Sequence, residues 1–186
     1  MARTGTTAVL ALLPDAEPAR TGTTAVLALL PDAEPLLRSA AEVDALAVRP
    51  GVPAHAALLY PWLPADEVDG SDVDRLRVAL PVGPVPVRLA AVERTGGFVG
   101  VPVPELSRAA DAVRTAFPEQ VPYGGRFGPR PPVHLTVALD VAPQAAAEIA
   151  RRTAAALPVT TEVTALHVVG LTDTGWRSLA ELPLSR

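Results

Sequence analysis

The sequence contains no cysteine and no lysine, and aromatic residues make up only 4% of its 186 positions. Without cysteine there is no disulfide, no thiol nucleophile and no cysteine-ligated zinc, although this says little about compartment. Hydrophobic residues reach 49%, so a sizeable core is available, but with so few aromatics it has to be built from Ala, Val and Leu. All basic charge rests on arginine, and Ala, Arg, Pro, Val and Gly dominate. That composition reads as GC-rich, bacterial coding and not as a functional signature. A net charge of -4 argues against wrapping duplex DNA, which needs a basic face, yet leaves room for a small phosphate pocket lined by a few arginines. No apolar run is long enough to span a bilayer, so no membrane partner is expected. Met1-Ala2-Arg3 followed by Ala8 to Leu13 faintly resembles a secretory signal. Its apolar stretch is short and no small-x-small cleavage site follows, which makes cytoplasmic the expected location. Neither a GxGxxG nor a Walker-type phosphate loop is present.

What is present begins with a perfect tandem repeat. Ala2 to Pro18 reads ARTGTTAVLALLPDAEP, and Ala19 to Pro35 repeats it letter for letter. Two copies do not make a solenoid, and a recent in-frame duplication accounts for them. Each copy encodes a short buried-type strand closed by a breaker-rich Pro-Asp-Ala-Glu-Pro turn. Only the second copy runs into Leu36 to Val43, which has the look of the helix that should follow. Thr24 to Leu30 is therefore expected to fill the native strand slot. Residues 1–18 are then a surplus duplicated segment, and 19–186 form a single domain, either of ordinary form or made of two similar lobes. The chain is expected to be a monomer, except that a surplus apolar strand is an edge-pairing hazard that promotes self-association.

Further along, Pro50-Gly51-Val52-Pro53 is a turn leading into a strand from His55 that ends at Pro61. Ser71 to Leu80 has helical spacing, with Ser71 or Asp72 as N-cap. Val85 to Val92 and Phe98 to Val103 read as two strands joined by Glu93 to Gly97. Pro104 to Phe117 is a second helix with proline in its first turn. Pro118 to Pro132 is a long Pro-, Gly- and Arg-rich loop before a strand from Val133 to Asp140. A helix from Gln144 to Leu157 follows, then strands near Val159 to Val169 and Trp176 to Pro183. Helices mixed with hairpins give an α+β class. The sheets are mainly antiparallel.

Of the three histidines, two open apolar strands in the same way, as His55-Ala56-Ala57-Leu58 and His134-Leu135-Thr136-Val137. Residues i and i+2 share a strand face, so His134 points with Thr136 and His55 with Ala57. A single histidine at a strand start is more often a satisfied structural residue. Two in matched motifs suit proton transfer, because imidazole titrates near neutral pH and one ring accepts a proton while the other donates one. A hydroxyl two residues along is placed to hold a phosphate oxygen. Arg126 and Arg130, with Tyr123 and Phe127 beside them, are loop candidates for phosphate and base contact, although each alone is more often a solvated loop residue. His167 lacks a hydroxyl at +2 and reads as structural. Tyr60 reads as a strand residue near the cleft rim, and Trp62 and Trp176 as packing residues. Metal-site spacings are missing, so neither metal nor cofactor is expected.

These paired motifs, with Leu59-Tyr60-Pro61 after the first and Pro122-Tyr123-Gly124-Gly125 before the second, resemble the two-histidine phosphoesterase superfamily. Within it the nearest resemblance is to the 2'-5' RNA ligase family, from about Thr23 onward. It implies a two-lobed fold with one histidine motif per lobe, His55 and His134 as catalytic residues, and metal-independent action on 2',5' linkages or 2',3'-cyclic phosphates. Expected partners are RNA or nucleotide phosphate ends. One departure stands out: Ala57 occupies the place where the family has Thr or Ser. A hydrogen bond to a charged group is worth about 1.5–3 kcal/mol, so the alternative reading is a catalytically weakened nucleotide- or RNA-end-binding protein. Deletion of residues 2–18 is expected to leave fold and activity intact. Soluble yield and circular dichroism of the truncated chain check this, and loss of soluble protein would count against the surplus-strand reading.

Overall fold

The computed structural model describes residues 21–48, 51–173 and 175–184. The first copy of the repeat, with the surplus segment expected at 1–18, lies outside them. Nine strands and four helices are present among the described residues: β1 Thr24–Leu29, α1 Glu34–Val43, β2 His55–Leu59, α2 Gly70–Ala79, β3 Val85–Leu89, β4 Glu93–Thr95, β5 Phe98–Pro102, α3 Ser107–Ala116, β6 His134–Ala138, α4 Pro143–Ala156, β7 Val159–Val163, β8 Ala165–Thr172 and β9 Gly175–Pro183. Seven strands form one sheet in the order β4-β5-β6-β2-β1-β8-β9, and β3 pairs with β7 in a separate ribbon. Every pairing is antiparallel. The class is the mixed helix and antiparallel-sheet one expected.

The chain traces the same path twice. β1, α1, β2, α2, β3 and β4 correspond to β5, α3, β6, α4, β7 and β8, with β9 added at the edge. The correspondence reaches single side chains. Buried Leu36, Leu37 and Ala40 of α1 occupy the positions of buried Ala109, Ala110 and Val113 of α3. Leu30 and Val103 both leave their strands at φ −128°, ψ 68°, each before a proline-led 3-10 turn. The proline fixes φ and lacks the donor that a strand continuation would require, so strand turns to helix at the same point in both halves. A pseudo-twofold axis passes between β2 and β6, and the β3–β7 ribbon pairs the remaining strands about it, from Val85↔Val163 to Leu89↔Val159.

Alternation along the strands separates two faces. Val26, Ala28, Ala56, Leu58, Val99, Val101, Leu135, Val137, Leu166 and Val168 enter one large core with the buried stripes of the four helices. The opposite face carries a smaller apolar cluster of Ala25, Leu27 and Val169, with Leu29, Tyr60 and Trp176 packed on it. β1 is buried on both sides, which is why its sequence reads as a continuous apolar run.

Three expectations need correction. Glu93 to Thr95 is a strand and not a turn: the hairpin is β4–β5, and β3 leaves the main sheet for β7. The segment Val159 to Val169 is two strands in two sheets, because the chain crosses over at Thr164. The N-cap of α2 is Asp69, not Ser71 or Asp72. Its carboxylate accepts from the Ser71 and Asp72 amides, while the Asp72 side chain accepts from the Asp69 amide. The Ser71 hydroxyl, which also donates to the Asp69 carboxylate, together with the Asp72 and Ser71 amides, holds the Asp69 carboxyl below its ordinary pKa. Trp62 and Trp176 are both packing residues, as expected: Trp62 lies in the large core edge-on to Phe117, and the half-buried Trp176 packs on the smaller cluster of the opposite face.

The tight β4–β5 hairpin depends on Gly97. A Cβ there would stand 2.3 Å from the Val141 carbonyl oxygen, whose amide donates to Gly97 O at 3.3 Å. Gly97→Ala is expected to cost about 1–3 kcal/mol as backbone shifts to relieve the overlap, read as a lower denaturation midpoint.

Candidate active site

β2 and β6 are the central strands, and each starts with a histidine because a proline-rich turn delivers the chain to the sheet at that residue. They meet at Ala56↔Leu135. In an antiparallel pair this register sets His55 opposite Thr136 and Ala57 opposite His134 on the next pairs, all on the face away from the helices. The two histidines are therefore diagonal neighbours, with Cα atoms about 7–8 Å apart. Each imidazole stands beside the +2 residue of the other motif, not only of its own. His55, Ala57, His134 and Thr136 are half-buried. The sequence identifies the residues that share a face; the crossed partnership comes from strand order.

Both imidazoles are oriented by one local device. His55 Nδ1 lies 2.8 Å from Pro53 O, and His134 Nδ1 lies 3.2 Å from Pro132 O. A carbonyl oxygen only accepts, so each Nδ1 carries a hydrogen and donates it, and in the neutral ring Nε2 is the nitrogen that carries the lone pair. The device was legible as the doublet Pro-x-His, in Pro53-Ala54-His55 and Pro132-Val133-His134.

His134 is further enclosed by Phe98, edge-on at a centroid distance of 5.2 Å and an interplanar angle of 83°. Gly100 makes room for that ring, since a Cβ there would fall 2.5 Å from its outer carbon. Burial pushes the His134 pKa below the ordinary imidazole value. The Pro132 hydrogen bond and Glu93 oppose the shift, and the nearby charge of His55 adds to it. Phe98 gave no sign in sequence beyond being a strand aromatic.

A row of four aromatics continues across the face. Tyr60 lies 6.0 Å from Tyr123 and 6.2 Å from Trp176, and Tyr123 lies 5.4 Å from Phe127. Tyr123 has a positive φ of 52° within the 3-10 turn Pro122–Gly125, and its amide donates to Tyr60 O at 2.7 Å. Burial raises its phenol pKa, so the hydroxyl stays protonated. Of the loop arginines, Arg126 is exposed just beyond this turn. Arg130 is exposed and 3.9 Å from Asp111 of α3. His167, read as structural, pairs across the strands with Leu27 and Glu181 and so shares the face of the two motifs.

Among the described residues, no three His, Asp or Glu side chains are grouped to hold a metal ion. No described helix is long and apolar enough to cross a membrane. A hollow of about 520 Å³ lies elsewhere, between α2 and β9, with Asp69 and Asp74 in its lining. Arg77 also lines it but is paired with Asp74, which leaves the lining acidic, the wrong sign for phosphate, and no histidine is among the lining residues.

Two half-sites of one design, meeting across a pseudo-twofold axis with a histidine from each, define a two-histidine phosphoesterase fold. The family model of the 2'-5' RNA ligase superfamily matches residues 23–175, and the chain belongs to that superfamily. The match begins inside the second copy of the repeat. E. coli LigT complexed with 3'-AMP has the same fold, with a TM-score of 0.54 and 16% identity over 90% of this chain and 100% of that chain. LigT in apo form gives 0.53 at 14% identity over the same shares, and LigT complexed with ATP 0.50 at 15%. No curated protein sequence matches the chain.

The depressed His134 value has a thermodynamic counterpart. A group whose folded pKa lies below its unfolded value of about 6.5 contributes stability above that pH and loses it as pH falls through the folded value. Imidazole resonances of His134 are expected to titrate below those of a free histidine. Phe98→Ala, by admitting water, is expected to move the midpoint upward; NMR titration reads both.

Proposed function

We propose that the chain is a metal-independent phosphoesterase acting on 2',3'-cyclic phosphates or 2',5' linkages at nucleotide or RNA ends. The observation that carries this reading is the crossed pair of imidazoles on one face of adjacent strands, each with Nδ1 tied back to a carbonyl. His134, whose pKa is lowered by burial, is neutral near pH 7 and suits the general base. Its Nε2 takes a proton from water as the water oxygen attacks phosphorus. His55 Nε2–H protonates the ribose oxygen as its bond to phosphorus breaks, so the ring opens to a phosphomonoester. Each proton transfer is worth roughly 10²–10⁴-fold in rate.

Thr136, beside His55 in the strand register, donates its hydroxyl to a non-bridging phosphate oxygen. Ala57, beside His134, offers nothing equivalent, so the phosphate is gripped on one side only. Tyr123, Phe127, Tyr60 and Trp176 provide π-faces for a base, and Arg126 and Arg130 provide charge at the mouth for the rest of the chain. Binding of 3'-AMP and ATP by LigT accords with a nucleotide as the occupant. A second reading rests on Ala57 alone: a protein that binds such ends and turns them over weakly or not at all.

Hydrolysis of 2',3'-cyclic nucleotides in the presence of chelator tests the proposal. Activity is expected, with His55→Ala and His134→Ala each removing it. Binding without turnover supports the second reading, and neither binding nor turnover rejects both. Ala57→Thr is expected to improve phosphate binding about tenfold or more, following the 1.5–3 kcal/mol of a hydrogen bond to a charged group. An acid limb below the ordinary imidazole value is expected in the rate profile, set by His134.

A further inference from the structure

The two halves of the main sheet are joined weakly in one respect. β1–β2 and β5–β6 each carry four registered pairs, but β2 and β6, which hold the histidines, carry one, Ala56↔Leu135. Something else has to fix these strands against each other if two imidazoles are to meet one phosphate. Arg114, on α3, spans the joint. Its Nε donates to Leu58 O of β2 at 2.9 Å, and its Nη1 donates to Pro131 O, just ahead of β6, at 3.0 Å.

Both acceptors are placed to matter. Leu58 is the residue that the β1–β2 register skips, between Val26↔Leu59 and Leu27↔Ala57, so its carbonyl sits at a bulge. It directly follows Ala57. Pro131 directly precedes Pro132, whose carbonyl receives the His134 Nδ1–H. The planar guanidinium offers donors at fixed spacing, which an ammonium does not. Arg114 is half-buried, and burial pushes its guanidinium below the ordinary arginine pKa, with Arg130 adding to the shift and Asp111 opposing it. Among the described residues, the corresponding position of the other half provides no such bridge. Ala41, which by the match of buried residues stands where Arg114 does, is an exposed methyl on α1.

We propose that Arg114 is a positioning residue that sets the separation of the His55 and His134 strands from behind the sheet. It touches neither imidazole and acts through the backbone on either side of the joint. This rests on the reading that both histidines serve one phosphate, but not on turnover being found.

The test is a double-mutant cycle read by NMR titration of the imidazoles, which needs no activity. In the native protein, His55→Gln removes a like charge and is expected to raise the His134 midpoint. In an Arg114→Met background, which keeps the packing and removes both donors, the same change is expected to shift it clearly less. Arg114→Lys, which keeps the charge but not the fork, is expected to fall between. Should the Met chain fail to fold, the Lys chain alone carries the comparison. Where the native protein turns over a 2',3'-cyclic nucleotide, kcat is expected to fall about tenfold or more in either variant with KM little changed, since small misplacements are costly. An undiminished coupling in a folded variant overturns the proposal, as does an unchanged kcat. If His55→Gln leaves His134 unmoved in the native protein, the shared-phosphate reading fails first.

Discussion

The antiparallel seam between β2 and β6 is the constraint on which the rest depends. Its single registered pair decides which residues of one motif face which of the other, and it converts two strand-initial histidines into diagonal neighbours. Had the register slipped by one residue, one histidine would have turned toward the helices and the other stayed in the cleft. Two things oppose that slip. Ala56, Leu58, Leu135 and Val137 are committed to the large core, and the β3–β7 ribbon closes the pseudo-symmetric arrangement from the far side.

Duplication explains why the site has two of everything and also why its defects are visible. Each half supplies a strand, a proline-led turn, a helix and a His motif, so any position in one half has a counterpart by which to judge it. Ala57 against Thr136 and Ala41 against Arg114 are the two departures that bear on the site. One removes a hydroxyl from the cleft and the other adds a guanidinium behind it. The outcome is a symmetric frame around an asymmetric centre, which suits a reaction in which one ring accepts a proton and the other donates one.

Much of this was legible in the sequence, and the pattern of success has physical causes. His55, Ala57, His134 and Thr136 were readable because strand alternation is a local rule, and their common face followed from it. Helices α1, α3 and α4 were readable from apolar spacing and from prolines at their starts. The pairing of β3 with β7 was not, because both are short alternating strands whose partners lie far apart in sequence and whose local pattern suits a hairpin equally well. The N-cap at Asp69 was missed because Ser71 and Asp72 are equally good capping types, and only backbone geometry chooses among them. Arg114 could not be found at all: an arginine beside an apolar stripe looks like the edge of a solvated face until the strands beneath it are in place.

The placement of the two tryptophans has a spectroscopic consequence. Trp62 is sealed in the helix-side core against Phe117, while Trp176 stands half-exposed beside Tyr60 on the cleft face. Emission from the first follows the integrity of the fold, and emission from the second follows what happens in the cleft. A molecule that settles over the aromatic row would quench or shift one indole and leave the other unchanged. The scarcity of aromatics, which at first only restricted how the core is built, thus gives the protein two separable fluorescent reporters.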